Sequence, residues 1–450
     1  MTTVTHPEPA TDLAFEEQAI KKAFRRLITF LFILCIFAQL DRANIGFAAL
    51  SMNKDLRLTA TMFGFANTIF YIGYFLCEIP SNMMLAKYGP RRWIARILIT
   101  WGIASTATMF ATNSTSLYGF RLLLGIAEAG FIPGTFLYLT YWFPASYRAR
   151  ATGLFLIAQP VTMAIGSSVS GLILQHGNGF LGLSGWRWLF LIEGAPTIVL
   201  GIITYFYLSD SPTKAKWLTE AERFALQRSL LHEQSSLTIH SPGGKPWREV
   251  FSRNVILCAL IYFGVMAGVN TNVTWTPLIV REVIKAHGLS YVGLFIAIPA
   301  ICTALVMPFW SAHSDRRMER TWHLVLPLLL AALGWLVVAF VHAPELRMGG
   351  LIFCSIGAFV GQAIFWTIPP TVLSPAARPV GLAFISSCGI VAASASPLII
   401  GFLKDLTHTW IASLMCIVVF LVGAAVIVFF VPTKAIPLAA ASTAAAGTGR

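Results

Sequence analysis

Leu117-Tyr-Gly-Phe-Arg-Leu-Leu-Leu-Gly-Ile-Ala-Glu-Ala-Gly-Phe-Ile-Pro-Gly-Thr-Phe-Leu-Tyr-Leu-Thr-Tyr-Trp142 is almost wholly apolar and holds two charges, Arg121 and Glu128. A helix rising about 1.5 Å per residue needs about 20 such residues to cross a hydrocarbon core of about 30 Å, and this stretch has them. Each charge costs about 2.5–3.5 kcal/mol at the centre of a bilayer, so charges placed there face a protein interior or a cavity. The stretch reads as a transmembrane helix with chemistry on one face.

Similar runs recur on both sides of it. Breaks at charged, Gly and Pro residues place twelve spans near 27–50, 62–85, 94–112, 117–142, 151–174, 187–208, 254–280, 289–311, 322–342, 350–373, 379–402 and 408–431. The 450 residues are 56% hydrophobic and 11% charged, with a mean hydropathy of +0.73. A soluble domain carries about 25% charged residues, so soluble, disordered and collagenous classes are excluded. The expected fold is an all-α polytopic membrane protein, twelve transmembrane helices in two six-helix bundles. Its parts are a cytoplasmic segment 1–26, a bundle 27–208, a cytoplasmic loop 209–253, a second bundle 254–431 and a disordered cytoplasmic tail 432–450.

The net charge of +13 is mostly topological and calls for no nucleic acid. With the N-terminus inside, the cytoplasmic segments hold 23 of the 32 Lys and Arg and the opposite side 7. That imbalance places both termini in the cytoplasm. Seven cysteines sit singly in or beside apolar runs and read as packing residues. Thr219-Glu-Ala-Glu222 has a capping-box pattern, which predicts a surface helix through Leu230. Ala86-Lys-Tyr-Gly-Pro-Arg91 and Asp315-Arg-Arg-Met-Glu-Arg320 fall at equivalent turns of the two halves. Such repeats build secondary transporters whose substrate site lies near the midplane.

Asp41, Glu78, Glu128 and Glu193 are the acids within spans, joined by Arg42 and Arg121, and all six are in the first half. Counting about 1.5 Å per residue puts Arg42 level with Arg121, and Glu128 two turns deeper beside Tyr74 and Gln159. Two guanidiniums above a carboxylate, an amide and a phenol form a cup for an organic anion, because arginine binds a carboxylate through two parallel donors. Asp41 and Glu128 are the expected proton-coupling groups. Asp41 should hold its proton less firmly than Glu128 if Arg42 has no other partner. Arg42, Arg121, Tyr74, Gln159, Trp366 and Gln362 are the expected substrate contacts. Glu78, Glu193, Asp315 and Arg316 read as gating or structural, with Glu193 pairing with Arg187. Asn270, Asn272 and Trp275 are weaker candidates. The nine histidines, in loops or near span ends, give a relay little support. No HExxH, GxSxG or GxxxxGK[ST] is present, so no enzyme, metal site or cofactor other than protons is expected.

The strings Asp41-Arg-Ala-Asn-Ile-Gly46, Ile79-Pro-Ser-Asn82, Arg121 to Gly134, Tyr147-Arg-Ala-Arg-Ala151, Gly185-Trp-Arg-Trp-Leu-Phe-Leu-Ile-Glu-Gly194 and Ala215-Lys-Trp-Leu218 resemble the major facilitator superfamily. Within it they resemble the anion:cation symporter family. Lys22-Ala-Phe-Arg-Arg-Leu-Ile28, Trp101 to Thr112, His313-Ser-Asp-Arg-Arg317 and Ala363-Ile-Phe-Trp366 are most similar to the 4-hydroxyphenylacetate permeases. The resemblance implies proton-driven import of a small organic anion, such as an aromatic acid, tartrate or a sugar acid, across the inner membrane by a monomer in the lipid bilayer. It also implies protonation at Asp41 and Glu128, substrate-side roles for Arg42 and Arg121, and cavity positions at Tyr74, Gln159 and Trp366. Ala86 departs from the superfamily's usual Asp. Ile385-Ser-Ser-Cys-Gly-Ile-Val-Ala-Ala393 lacks a common Asn, which argues against a sugar acid. Anion exchange without protons and a transporter-like sensor are the alternatives.

Overall fold

The computed structural model describes residues 9–239, 249–284, 288–317, 319–373 and 377–431, and the expectation for the tail 432–450 falls outside them. Helix α1 (Pro9–Ala23) runs through one π turn (Phe24–Ile28) into α2 (Thr29–Asp55). Next come α3 (Ala60–Tyr88), α4 (Pro90–Ala107), α5 (Ser114–Glu128), α6 (Phe131–Thr140), α7 (Ala145–Leu156), α8 (Ala158–His176), α9 (Gly185–Tyr207) and α10 (Glu220–Ile239). The remainder forms α11 (Arg253–Val283), α12 (Leu289–Arg317), α13 (Thr321–Phe340), α14 (Pro344–Phe365), α15 (Pro369–Val372), α16 (Arg378–Thr407) and α17 (Ile411–Val428). Among the described residues, twelve helical stretches are long and apolar enough to cross a membrane.

Contacts divide the chain into two units, one comprising Met1–Leu58, Ile69–Ser241 and Gly288–Gly293, the other Thr59–Thr68, Pro242–His287 and Leu294–Arg450. The first turns of α3 therefore belong to the second unit, where Asp405 accepts hydrogen bonds from the backbone N–H groups of Ala60 (3.0 Å) and Thr61 (2.7 Å). Within the first unit α2 packs on α8 and α9, and α4 packs on α9 and α5. Within the second, α11 packs on α16 and α17, and α13 packs on α17 and α14. The first and third spans of each half thus choose the same partners, which is the internal repeat seen as packing.

The fourth span of each half is interrupted. In the first unit the expected single run 117–142 is two helices, because Ala129 is extended (ψ 129°) and Gly130 is left-handed (φ 89°). A Cβ on Gly130 would stand 2.5 Å from Ser81 Oγ, so this corner admits only glycine. In the second unit α14 stops at Phe365, and Pro369 and Pro370, which have no N–H to continue the ladder, open α15. Interrupted segments at matching positions of two halves mark where a transporter exposes backbone and side chains to its cargo.

At the end of the first unit that carries the N-terminus, the expected capping box is present. Thr219 N donates to Glu222 Oε2 at 2.9 Å and Glu222 N to Thr219 Oγ1 at 3.3 Å, and the helix runs on to Ile239 rather than ending at Leu230. Glu222 also holds Lys22 at 2.7 Å, docking α1 on α10. Burial pushes the Glu222 carboxyl up, but the bonds from Lys22 and Thr219 outweigh it and hold the group below its ordinary range. The acid missing at Ala86 has a substitute from the linker, since Asp210 Oδ1 accepts from Arg91 N at 3.1 Å at the start of α4. Trp217 stacks on Trp142 with centroids 5.3 Å apart, which accounts for the Ala215-Lys-Trp-Leu218 string as packing.

Gly130→Ala should lower the melting temperature of the purified protein. A left-handed residue bearing a Cβ costs about 1–2 kcal/mol, and the contact with Ser81 adds to that. Gly179→Ala, with φ 85° and open space around its Cβ, bears only the backbone cost. A Gly130→Ala protein melting no earlier than Gly179→Ala would contradict this account of the break.

Candidate functional site

The site in the first unit begins with a close helix contact. A Cβ on Gly125 would lie 2.0 Å from Phe70 O, so its absence lets α5 rest directly on the backbone of α3. That approach sets the Phe70 ring under Arg121, whose Cζ lies 4.6 Å from the ring centroid. One turn on, Tyr74 faces Arg42 at 5.2 Å. Arg42 Nε donates to Glu128 Oε1 at 2.6 Å, and the Glu128 side chain is 1% exposed against 23% for Arg42. Glu128 is the last residue of α5, at the edge of the break.

Asp41 is 2% exposed and is not the partner of Arg42. It accepts from Trp101 Nε1 and Ser105 Oγ on α4, and from Asn44 Nδ2 at 3.4 Å. The expectation that Asp41 holds its proton less firmly required Arg42 to lack other partners, and that condition fails because Arg42 is bonded to Glu128. Arg121, 2% exposed, still acts electrostatically on both Asp41 and Glu128. Trp101 and Ser105 were legible as an i, i+4 pair on one face of span three, and Asn44 follows Asp41 by three residues.

Depth counting placed Glu128 two turns from Arg42, yet the two are bonded. Helical side chains lean toward their own N-termini, and spans one and four run antiparallel, so the two side chains lean toward each other and close the gap. Glu78 is half-buried one turn beyond Tyr74 and acts electrostatically on Arg42, nearer the cluster than expected. Gln159 is half-buried at the joint between α7 and α8, beside Pro160. Glu193 does not pair with Arg187, which donates to the carbonyls of Met109 and Ala111 instead. Its partner is Ser170 Oγ, at 2.8 Å.

The second unit carries its own candidates. Trp366 lies at the end of α14 with its ring edge-on to Tyr262, centroids 4.8 Å apart. Gln362, one turn earlier, donates to Met266 Sδ at 3.5 Å. Asn270 and Asn272 are each 5% exposed, and Trp275 is buried against Phe63 and Trp410. Arg316 is exposed near the end of α12, and the Asp315 side chain lies outside the described residues. The histidines are better connected than their positions suggest. His313 Nδ1 lies 2.7 Å from His323 Nε2, and His323 Nδ1 lies 2.6 Å from Glu319 Oε2.

Among the described residues, twelve helices long and apolar enough to span a membrane fall into two repeated six-span sets, with buried opposite charges at an interrupted span, the build of a membrane transporter. Residues 31–397 match the Major Facilitator Superfamily, and the chain belongs to that family. A protein of Agrobacterium vitis named "Putative tartrate transporter" is 42% identical over 418 residues, 92% of this chain and 94% of its own. The quinolone resistance transporter of Acinetobacter baumannii is 32% identical over 93% of this chain and 96% of its own. The crystal structure of a D-xylose–proton symporter superposes with a TM-score of 0.73 at 16% identity, covering 91% of this chain and 98% of that one, a likeness of fold.

Trp101→Phe keeps an aromatic ring in place, though a smaller one, and removes a donor from buried Asp41. Loss of one buried hydrogen bond to a carboxylate costs about 1.5–3 kcal/mol, so thermal unfolding should move down by several degrees. An unchanged melting temperature would show that the Trp101–Asp41 bond does not support the site.

Proposed function

We propose that the protein imports a small carboxylate together with protons by alternating access, with both termini in the cytoplasm of a bacterial inner membrane, as a monomer. The bond between Arg42 and Glu128 carries this reading. An ionised Glu128 occupies the guanidinium that a substrate carboxylate would need. A proton on Glu128 weakens its hold and frees the fork for the substrate, so proton and anion favour each other's binding. Arg121 supplies a second positive charge in the same buried layer. A monoanion carried with one proton moves no net charge, while each further proton draws about 2.3 kcal/mol from a potential of 100 mV.

Tartrate is the first substrate to test, because identity is higher to the relative named for it than to the one named for quinolone resistance. A hydroxylated aromatic acid such as 4-hydroxyphenylacetate is the second reading. It is favoured by the aromatic surface that Tyr262, Phe365 and Trp366 form in the second unit.

Proteoliposomes given labelled tartrate or 4-hydroxyphenylacetate, with and without an inward proton gradient, test this. Accumulation should require the gradient, and Arg121→Lys should weaken binding although the charge is kept, because the planar fork is lost. Glu128→Gln should abolish accumulation while leaving counterflow, since the amide mimics the protonated acid. A Glu128→Gln protein that accumulates substrate with wild-type proton dependence would refute the assignment.

A further inference from the structure

Glu193 on α9 is 3% exposed, and no cation pairs with it among the described residues. Its Oε1 accepts from Ser170 Oγ at 2.8 Å, while Oε2 is buried without a hydrogen-bond partner. Asn44 lies between this carboxyl and that of Asp41, with its amide in contact with both. The two acids are served unequally. Asp41 accepts from three neutral donors and feels the charge of Arg121, an environment that satisfies an ionised carboxylate. Glu193 has the Ser170 hydroxyl and the nearby Asn44 amide but no cation, and one of its oxygens is orphaned, an environment that fits a neutral acid better than an anion.

We propose that Glu193 holds a proton in this state and delivers it to Asp41, making it a third protonatable group upstream of the coupling pair. The step is a transfer between like groups. The O–H bond on Glu193 breaks and one forms on Asp41, a water entering beside Asn44 accepting the first proton and giving up another, and the negative charge moves from Asp41 to Glu193, so the pair together keeps one proton. The surrounding helices present little else that is charged. On α2 the facing groups are Asp41 and neutral Asn44; α4 presents Trp101, Ser105 and Thr106, and α8 presents Ser170. On α9 itself Arg187 donates to backbone carbonyls. With the orientation proposed above, Glu193 lies about 12 Å below the outer end of its helix and Asp41 about 21 Å below the end of α2. Glu193 therefore stands on the outer side of Asp41, where an entering proton arrives first. It acts through Asp41 and is a positioning residue for the proton.

This inference extends the symport reading, and two measurements keep the two apart. Infrared spectra of the protein in lipid at neutral pH, compared between wild type and Glu193→Gln, report the proton directly and need no transport. The variant should lose a protonated-carboxyl carbonyl band; loss of an ionised-carboxylate band would overturn the proposal. Should Glu193→Gln fail to fold, Ser170→Ala serves instead, and it should shift that same protonated band. In proteoliposomes, Glu193→Gln should cut gradient-driven uptake by about tenfold at alkaline outside pH, the effect of one unit of proton activity. Uptake should be nearly wild-type at acid pH, where Asp41 is protonated directly, and Glu193→Asp should restore the alkaline rate. An equal loss at every pH would mark Glu193 as structural and overturn the proposal. Wild-type uptake that ignores the proton gradient would instead remove the symport reading, leaving the infrared result to decide Glu193.

Discussion

A guanidinium and a carboxylate that share one bond inside an apolar bundle constrain everything around them. Neither Arg42 nor Glu128 can be stranded cheaply, because breaking a buried pair by removing one partner costs about 3–5 kcal/mol. The pair can therefore be separated only when something else satisfies each half. A proton does so for Glu128, and an anionic ligand does so for Arg42. The proposed coupling follows from that constraint and requires no additional device.

The fold holds this pair by arranging backbones rather than by adding contacts. Gly125 lets α5 lie on α3, which brings the Phe70 and Tyr74 rings to the two arginines. Gly130 turns the chain immediately after Glu128, so the carboxylate sits at the end of a half-helix instead of mid-span. The second half interrupts its own fourth span at Trp366, one of the substrate contacts expected from the sequence. An inherited duplication has thus left the same weak point in both halves, filled by an acid in one and an indole in the other.

The twelve spans were legible because hydrophobic length is a one-dimensional property. The buried charges were legible because lipid makes them expensive. Partner choice was not, since it depends on how helices face one another. Asp41 directly precedes Arg42 in sequence, yet consecutive helical residues point about 100° apart, and Asp41 meets α4 while Arg42 meets α5. Arg187 and Glu193 looked like a pair at a separation of six residues, a spacing that helix geometry does not bring together. His313, His323 and Glu319 were invisible as a chain because they come from two helices and the turn between them. The interruption at Gly130 could have been read from Ala129-Gly130 and Pro133, had their helix-breaking tendency been set against the apolar run.

The central claim is that anion and proton together replace the Arg42–Glu128 bond, each favouring the binding of the other. Calorimetry of substrate binding in buffers of differing protonation enthalpy counts the protons taken up when the anion binds. The account predicts uptake of about one proton by the wild type at neutral pH and close to none by Glu128→Gln, as linkage at a single site requires. Binding that takes up no proton in the wild type, or as many in the variant as in the wild type, would contradict it.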